Sequence, residues 1–337
     1  MGVDVSAELL EVQSKVKSLK NVEVMTCLEM MVRFRISRSK AKTMDVCMQF
    51  PTDYPASLVL VEFKSKSLPQ KFFDAIGTLL EKEKQRFLGR KQLIVVLRFI
   101  LDYLDANPLC VCAGEVSNLK KLLELDTGET GDFFRIKQKQ SLIHFRSTKA
   151  NYHLEAKISI PDDYPESRVT CDLVSCNFPS VLCVFLRAQA AEIARKCVEP
   201  PLMRQKKGQK AAPPLSFEPN PSLEPVTRFL VQNSKSYPLE ICSLCDKRCF
   251  PDSPSDIVED ESDDRCVERV YCNDLFHHGC LDVYMKTPPF TGGKKCPRCA
   301  TVIYHEKWKA SEKTREERWA HQQAKQRELE EVEDFMT

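Results

Sequence analysis

Nowhere in the 337 residues does an apolar run approach the roughly 20 residues that cross a bilayer, which excludes a membrane-spanning chain. The stretch MGVDVSAELLEVQSK lacks the basic segment and apolar core of a secretory signal, so the chain is expected in a reducing compartment, the cytoplasm or the nucleus. Neither charge is in excess. Fifty Lys+Arg against 48 Asp+Glu leave a formal +2, so no whole-molecule field draws the chain to anionic lipid, and direct nucleic-acid binding is not expected. What is present, 42% hydrophobic and 29% charged residues, is an ordinary globular composition, at a length that suits two or three compact units.

Cysteine is the abundant exception, and 16 of them in a reducing compartment suggest a metal before disulfides. Eight are scattered: Cys27, Cys47, Cys110, Cys112, Cys171, Cys176, Cys183 and Cys197. They form no Cys-x-x-Cys pair and mostly lie in apolar runs such as SVLCVFL, where a free Cys packs as a small hydrophobe. The other eight fall between Cys242 and Cys299, as Cys242-x2-Cys245, then Cys249, then Cys266-x5-Cys272-x4-His277-x2-Cys280, then Cys296-Pro297-Arg298-Cys299. Two residues between ligands form a turn that aims both side chains at one ion, and thiolate with imidazole suits tetrahedral Zn²⁺. Four ligand pairs imply two zinc ions. Cys249 and His278 are spare, and Cys249 stands as an alternative to Cys266 as the third ligand.

The chain also repeats itself. Gln49-Phe50-Pro51-Thr52-Asp53-Tyr54-Pro55-Ala56-Ser57 returns 110 residues later as Ser159-Ile160-Pro161-Asp162-Asp163-Tyr164-Pro165-Glu166-Ser167. Each copy follows strand-like alternation (MMVRFRI and MDVCMQF; SLIHFR and YHLEAKISI) and precedes another short strand (LVLVEF; RVTCDLV). Proline fixes φ and biases the residue before it to extended geometry, so Asp-Tyr-Pro is expected to be a rigid turn. Helices flank each sheet: Ala7 to Leu19, Gln70 to Phe87 and a stripe of Leu93, Leu97, Ile100 and Leu104 around the first; Ser117 to Leu123, Val181 to Val198 and Leu223 to Val231 around the second. The expected fold is α+β: one unit at 1–108, a second at 112–235 with a Pro/Lys-rich loop at 200–222, a zinc finger at 238–305 and a charged helical tail at 306–337.

The order of elements and the Pro-x-Asp-Tyr-Pro turn resemble RWD domains, which have the ubiquitin-conjugating-enzyme-like fold, here two in tandem. Conjugating enzymes carry His-Pro-Asn ahead of a catalytic Cys, and neither copy has it; Asn177-Phe178-Pro179 with Cys183 is the nearest echo. No catalytic residue is therefore expected. The finger resembles a two-zinc, cross-braced RING finger. That resemblance implies one site of Cys242, Cys245, His277 and Cys280 and another of Cys266, Cys272, Cys296 and Cys299. A PHD-type peptide reader shares the ligand order but has an aromatic residue where this chain has Lys294. RING ligases grip a conjugating enzyme with apolar side chains at the positions of Leu244, Tyr284 and Pro297, with Leu281 beside them. Tandem RWD units before a RING finger are similar to the Fanconi anaemia L family of ubiquitin ligases. The resemblance implies an E3 ubiquitin transferase with a non-covalent mechanism, whose partners are a conjugating enzyme and a protein substrate. The alternative is a zinc-binding scaffold without activity, or a PHD-like reader.

Other features are weaker. Met1-Gly2-x-x-x-Ser6 fits a myristoylation pattern, against which Asp4 argues. Arg204, Lys206, Lys207 and Lys210 suit a solvated loop more than a nuclear signal, and Asp252 to Asp264 suits a disordered acidic excursion between ligands. Trp308 and Trp319 stand eleven residues apart, near one face of the expected tail helix, where they are placed to dock on the finger or on a partner.

Overall fold

The computed structural model describes residues 5–123, 131–201 and 217–336, so Gly2, Arg204, Lys206, Lys207 and Lys210 lie outside the described residues. The fold is mixed α+β, with antiparallel sheets. Among the described residues no helix is long and apolar enough to cross a membrane.

Helix α1 (Val5–Val16) leads into β1 (Val22–Leu28), β2 (Met31–Ser37), β3 (Thr43–Gln49) and β4 (Leu60–Lys64), a four-stranded meander in the order β1-β2-β3-β4. Period-two alternation does the sorting, since Val32, Phe34 and Ile36 on β2 and Met44, Val46 and Met48 on β3 are all buried on the face that the helices cover. Helices α2 (Gln70–Lys84) and α3 (Leu93–Ala106) close that core with Ile76, Leu80, Leu97 and Ile100. The motif repeats after α4 (Ala113–Leu122), as β5 (Phe133–Lys137), β6 (Leu142–Lys149), β7 (Tyr152–Ser159) and β8 (Thr170–Cys176), again in sequential order, followed by α5 (Ser180–Val198) and α6 (Leu223–Ser236).

The repeated turn has a repeated job. Tyr54 donates to Glu8 on α1 at 2.6 Å and accepts from the amide of Gln92 at 3.1 Å, while Glu8 takes the amide of Leu93 at 2.9 Å. In the second copy Tyr164 donates to Glu115 on α4 at 2.7 Å and accepts from the amide of Leu223 at 3.1 Å, while Glu115 takes the amide of Glu224 at 2.9 Å. Each tyrosine and its carboxylate thus satisfy the free amides at the start of the last helix of their unit, where a helix dipole also favours negative charge. Burial and the adjacent carboxylate push both phenols well above their usual pKa, so both hydroxyls stay protonated. Tyr164→Phe should cost about 1–3 kcal/mol, because the half-buried Glu115 carboxylate loses a donor and the buried Leu223 amide its acceptor. Tyr54→Phe should cost a similar amount. Urea titration of both variants checks this, and wild-type midpoints in both would mean that the hydroxyls do not carry these helix starts.

Contacts divide the chain into two units, one of Met1–Arg146, Glu155–Val174 and Ala188–Phe229, the other of Ser147–Leu154, Ser175–Arg187 and Leu230–Thr337. The second unit gathers three separate stretches because their aromatic rings meet. Tyr152 stacks on Phe178 at 5.2 Å, and Phe250 packs against Tyr152, Phe178 and Tyr237 at 5.6, 6.1 and 6.3 Å. Tyr152 also donates its hydroxyl to the Pro251 carbonyl at 2.8 Å. The rest of this unit is β9 (Val267–Arg269) paired with β10 (Leu275–His277), then α7 (His278–Lys286) and α8 (Glu312–Met336).

Candidate metal centre

Two turns of the same design carry the outer cysteine pairs. In the first, the amides of Cys245 and Asp246 donate to the Cys242 carbonyl at 3.2 and 2.8 Å, and Asp246 has φ 56°. In the second, the Ala300 amide donates to the Cys296 carbonyl at 2.9 Å, and Ala300 has φ 59°. Short bridges, Ile241↔Arg248 and Lys295↔Val302, close the two loops. A two-residue spacer followed by a left-handed residue presents both sulfurs on one side of each loop.

Cys242, Cys245, His277 and Cys280 bring their ligand atoms within 4.8 Å of one another. His277 Nδ1 is 3.3 Å from Cys245 Sγ, while its Nε2 is 3.0 Å from the Arg248 carbonyl. A proton on Nε2 donated to that carbonyl leaves Nδ1 as the free ligand atom, the outer-shell arrangement that orients metal-binding histidines. His277 ends β10 and Cys280 lies in the first turn of α7. Gly279 between them is required by close approach, since a Cβ there would lie 2.6 Å from the Asp264 carboxyl carbon.

The second group is Cys272, Asp274, Cys296 and Cys299, also within 4.8 Å. Cys296 and Cys272 lie 3.0 and 3.1 Å from Asp274 Oδ2. Cys266 is not in this group. It is buried at the base of β9, where its carbonyl takes the His278 amide at 2.7 Å and burial pushes its thiol up. Cys249 also stays apart. Burial pushes its thiol to about 12, and the S–H faces the Leu275 carbonyl at 3.4 Å, so it packs as a protonated side chain. The two groups alternate along the chain, and each brings together a cysteine pair from one loop with side chains from the β9–β10 hairpin or the start of α7. Three thiolates with an imidazole, and three thiolates with a carboxylate, are both donor sets that Zn²⁺ accepts.

Of the apolar positions, Leu244 and Tyr284 are half-buried and Pro297 is exposed. Leu281 is fully buried, so it packs inside the unit and has no surface to offer a partner; Val283, 62% exposed, is the outward residue of that turn. Arg298 ties the loops together, reaching Glu240 at 2.7 Å and the Ile241 carbonyl at 3.0 Å, while Tyr284 donates to the Lys295 carbonyl at 2.7 Å. Lys294 is buried, its ammonium 4.4 Å from the Tyr284 ring.

Outside the finger, Cys183 lies in the first turn of α5 with its thiol 3.4 Å from the Phe178 carbonyl, and the neighbouring Cys176 and burial push its pKa up, opposite to what a thiolate nucleophile needs. His278, spare in the ligand count, pairs with the buried Glu268 at 2.9 Å, and Lys307 meets the same carboxylate at 2.6 Å. No protein-family description matches the chain, and no curated protein matches it.

Proposed function

We propose that the chain is a RING-type ubiquitin ligase, similar in organisation to the Fanconi anaemia L family, with two RWD-like units that recruit a protein substrate. The observation that carries this reading is the alternation of the two ligand groups along the chain, which suits a cross-braced finger. Leu244 and Pro297 sit in its two cysteine loops and Tyr284 is bonded beside the second, a placement suited to docking a ubiquitin-charged conjugating enzyme. Such a ligase forms no covalent bond to ubiquitin. It holds the charged enzyme so that a substrate lysine attacks the thioester from a favourable position, which accords with the protonated Cys183 and with the lack of His-Pro-Asn. Zinc bound at the two groups would supply the rigidity of the docking loops. The cytoplasm or nucleus is the proposed site of action.

Autoubiquitination by the full chain with a panel of conjugating enzymes tests the reading. Leu244→Ala should retain both ions yet weaken docking by about 2 kcal/mol or more, roughly thirtyfold, since binding energy at such surfaces concentrates in a few central side chains. Full transfer by Leu244→Ala with every enzyme that serves the wild type would refute the docking surface. An inactive wild type with both ions bound would instead support a zinc-held scaffold.

A further inference from the structure

We infer that the second ion is held by Cys272, Asp274, Cys296 and Cys299, with Asp274 in the place that the RING resemblance gives to Cys266; this rests on the reading of the finger as a zinc module. The hairpin decides between them. Register pairs Arg269 with Leu275 and Val267 with His277, so residues 270–274 form the turn, and the Asn273 amide closes it onto the Val270 carbonyl at 2.9 Å. Asn273 has φ 73°, and on either side of it Cys272 and Asp274 aim their ligand atoms at the Cys296–Cys299 loop. Cys266 precedes the strand. The three residues of β9 separate it from the turn, four steps of extended chain or roughly 13 Å, too far for a shared ion.

The carboxylate has two different neighbours. Oδ2 faces Cys272 and Cys296, whereas Oδ1 lies 3.4 Å from Arg298. A carboxylate set among three cysteine sulfurs is repelled once they ionise unless a cation joins them, and a divalent ion is the cation that a four-donor cluster of this span accepts. Three thiolates and a carboxylate still exceed the charge of one Zn²⁺ by two, and Arg298 offsets part of that excess while orienting the carboxylate. Arg298 is thus a positioning residue for the second site, held for that role by Glu240 and the Ile241 carbonyl. The first site has an imidazole in place of the carboxylate and carries one negative charge less.

Native mass spectrometry of the full chain should count two Zn²⁺ in the wild type and in Cys266→Ser, and one in Asp274→Ala. Asp274→Cys should hold two. With Co²⁺ in place of zinc, its thiolate-to-metal absorption should rise as the six ligating thiolates become seven, while Cys266→Ser leaves the band unchanged. These two variants decide the question even if Asp274→Ala fails to fold. Arg298→Gln should weaken the second ion about 10–100-fold in chelator competition. Loss of one ion in Cys266→Ser, with two retained in Asp274→Ala, would overturn the assignment and leave the zinc module standing. A wild type without zinc would remove both.

Discussion

His277→Ala should release one zinc ion and unfold residues 240–303. Structural zinc contributes about 10–16 kcal/mol of apparent binding free energy in small fingers, which is folding free energy because the site does not exist in the unfolded chain. No other interaction in this stretch approaches that size. The finger supplies its own apolar centre from Val270, Leu275, Phe276, Leu281 and Phe290, all buried, yet a stretch of this length rarely holds more than about 3–5 kcal/mol from its core. Losing the imidazole also strands the Arg248 carbonyl, which His277 Nε2 faces at 3.0 Å. The damage should reach further than the finger. Phe250 is the ring on which Tyr152, Phe178 and Tyr237 converge, so its release should loosen β7 at Tyr152 and the start of α5. Hydrogen exchange should show lost protection across 240–303 and at Tyr152 and Phe178, while amides of α2 and α3 keep theirs. Two retained ions, or a finger as protected as the wild type, would defeat this prediction.

What could be read from the sequence was local. The Cys-x-x-Cys and His-x-x-Cys spacings leave few backbone paths between ligands, so Cys242 stays with Cys245, His277 with Cys280 and Cys296 with Cys299, whereas spacing alone does not say which pairs share a group. The Asp-Tyr-Pro repeat marks a turn for the same reason. What could not be read depended on chain segments meeting, or on residue types too common to signal anything. Asp274 is one of 48 acidic residues, and only the register of the β9–β10 hairpin puts it among three sulfurs while setting Cys266 at the far end of a strand. Glu8 and Glu115 sit beside apolar stripes as ordinary polar positions until a tyrosine from a distant turn finds each of them. Leu281 shares its helix with Val283 and Tyr284, and the angular position that buries it fully depends on where α7 begins. Lys294 is buried against the ring of Tyr284, a neighbour ten residues away that no local pattern marks.

Trp308 is the sharpest case, and Trp308→Ala should destabilise the second unit by about 3–5 kcal/mol. Eleven-residue spacing from Trp319 suggested one face of a tail helix, but α8 begins only at Glu312, and Trp308 ends a short 3-10 turn ahead of it. There it is 9% exposed, with ring centroids 4.8 Å from His305 and 5.7 Å from His278. Its indole N–H donates to Asp282 on α7 at 2.9 Å, and the preceding Lys307 meets Glu268 on β9 at 2.6 Å. The turn therefore pins the end of the finger to both its helix and its hairpin. Removing the indole leaves a cavity beside α7 and a carboxylate with one donor fewer, although Lys286 stays on Asp282 at 2.6 Å. Trp308→Phe keeps most of the buried ring and loses the N–H, so it should cost about 1 kcal/mol. Thermal unfolding should place the Ala variant on the order of 10–20 °C below the wild type, and the Phe variant only about 5 °C below it. Equal melting of all three proteins would mean that the turn at Trp308 does not brace the finger, whatever metal the finger holds.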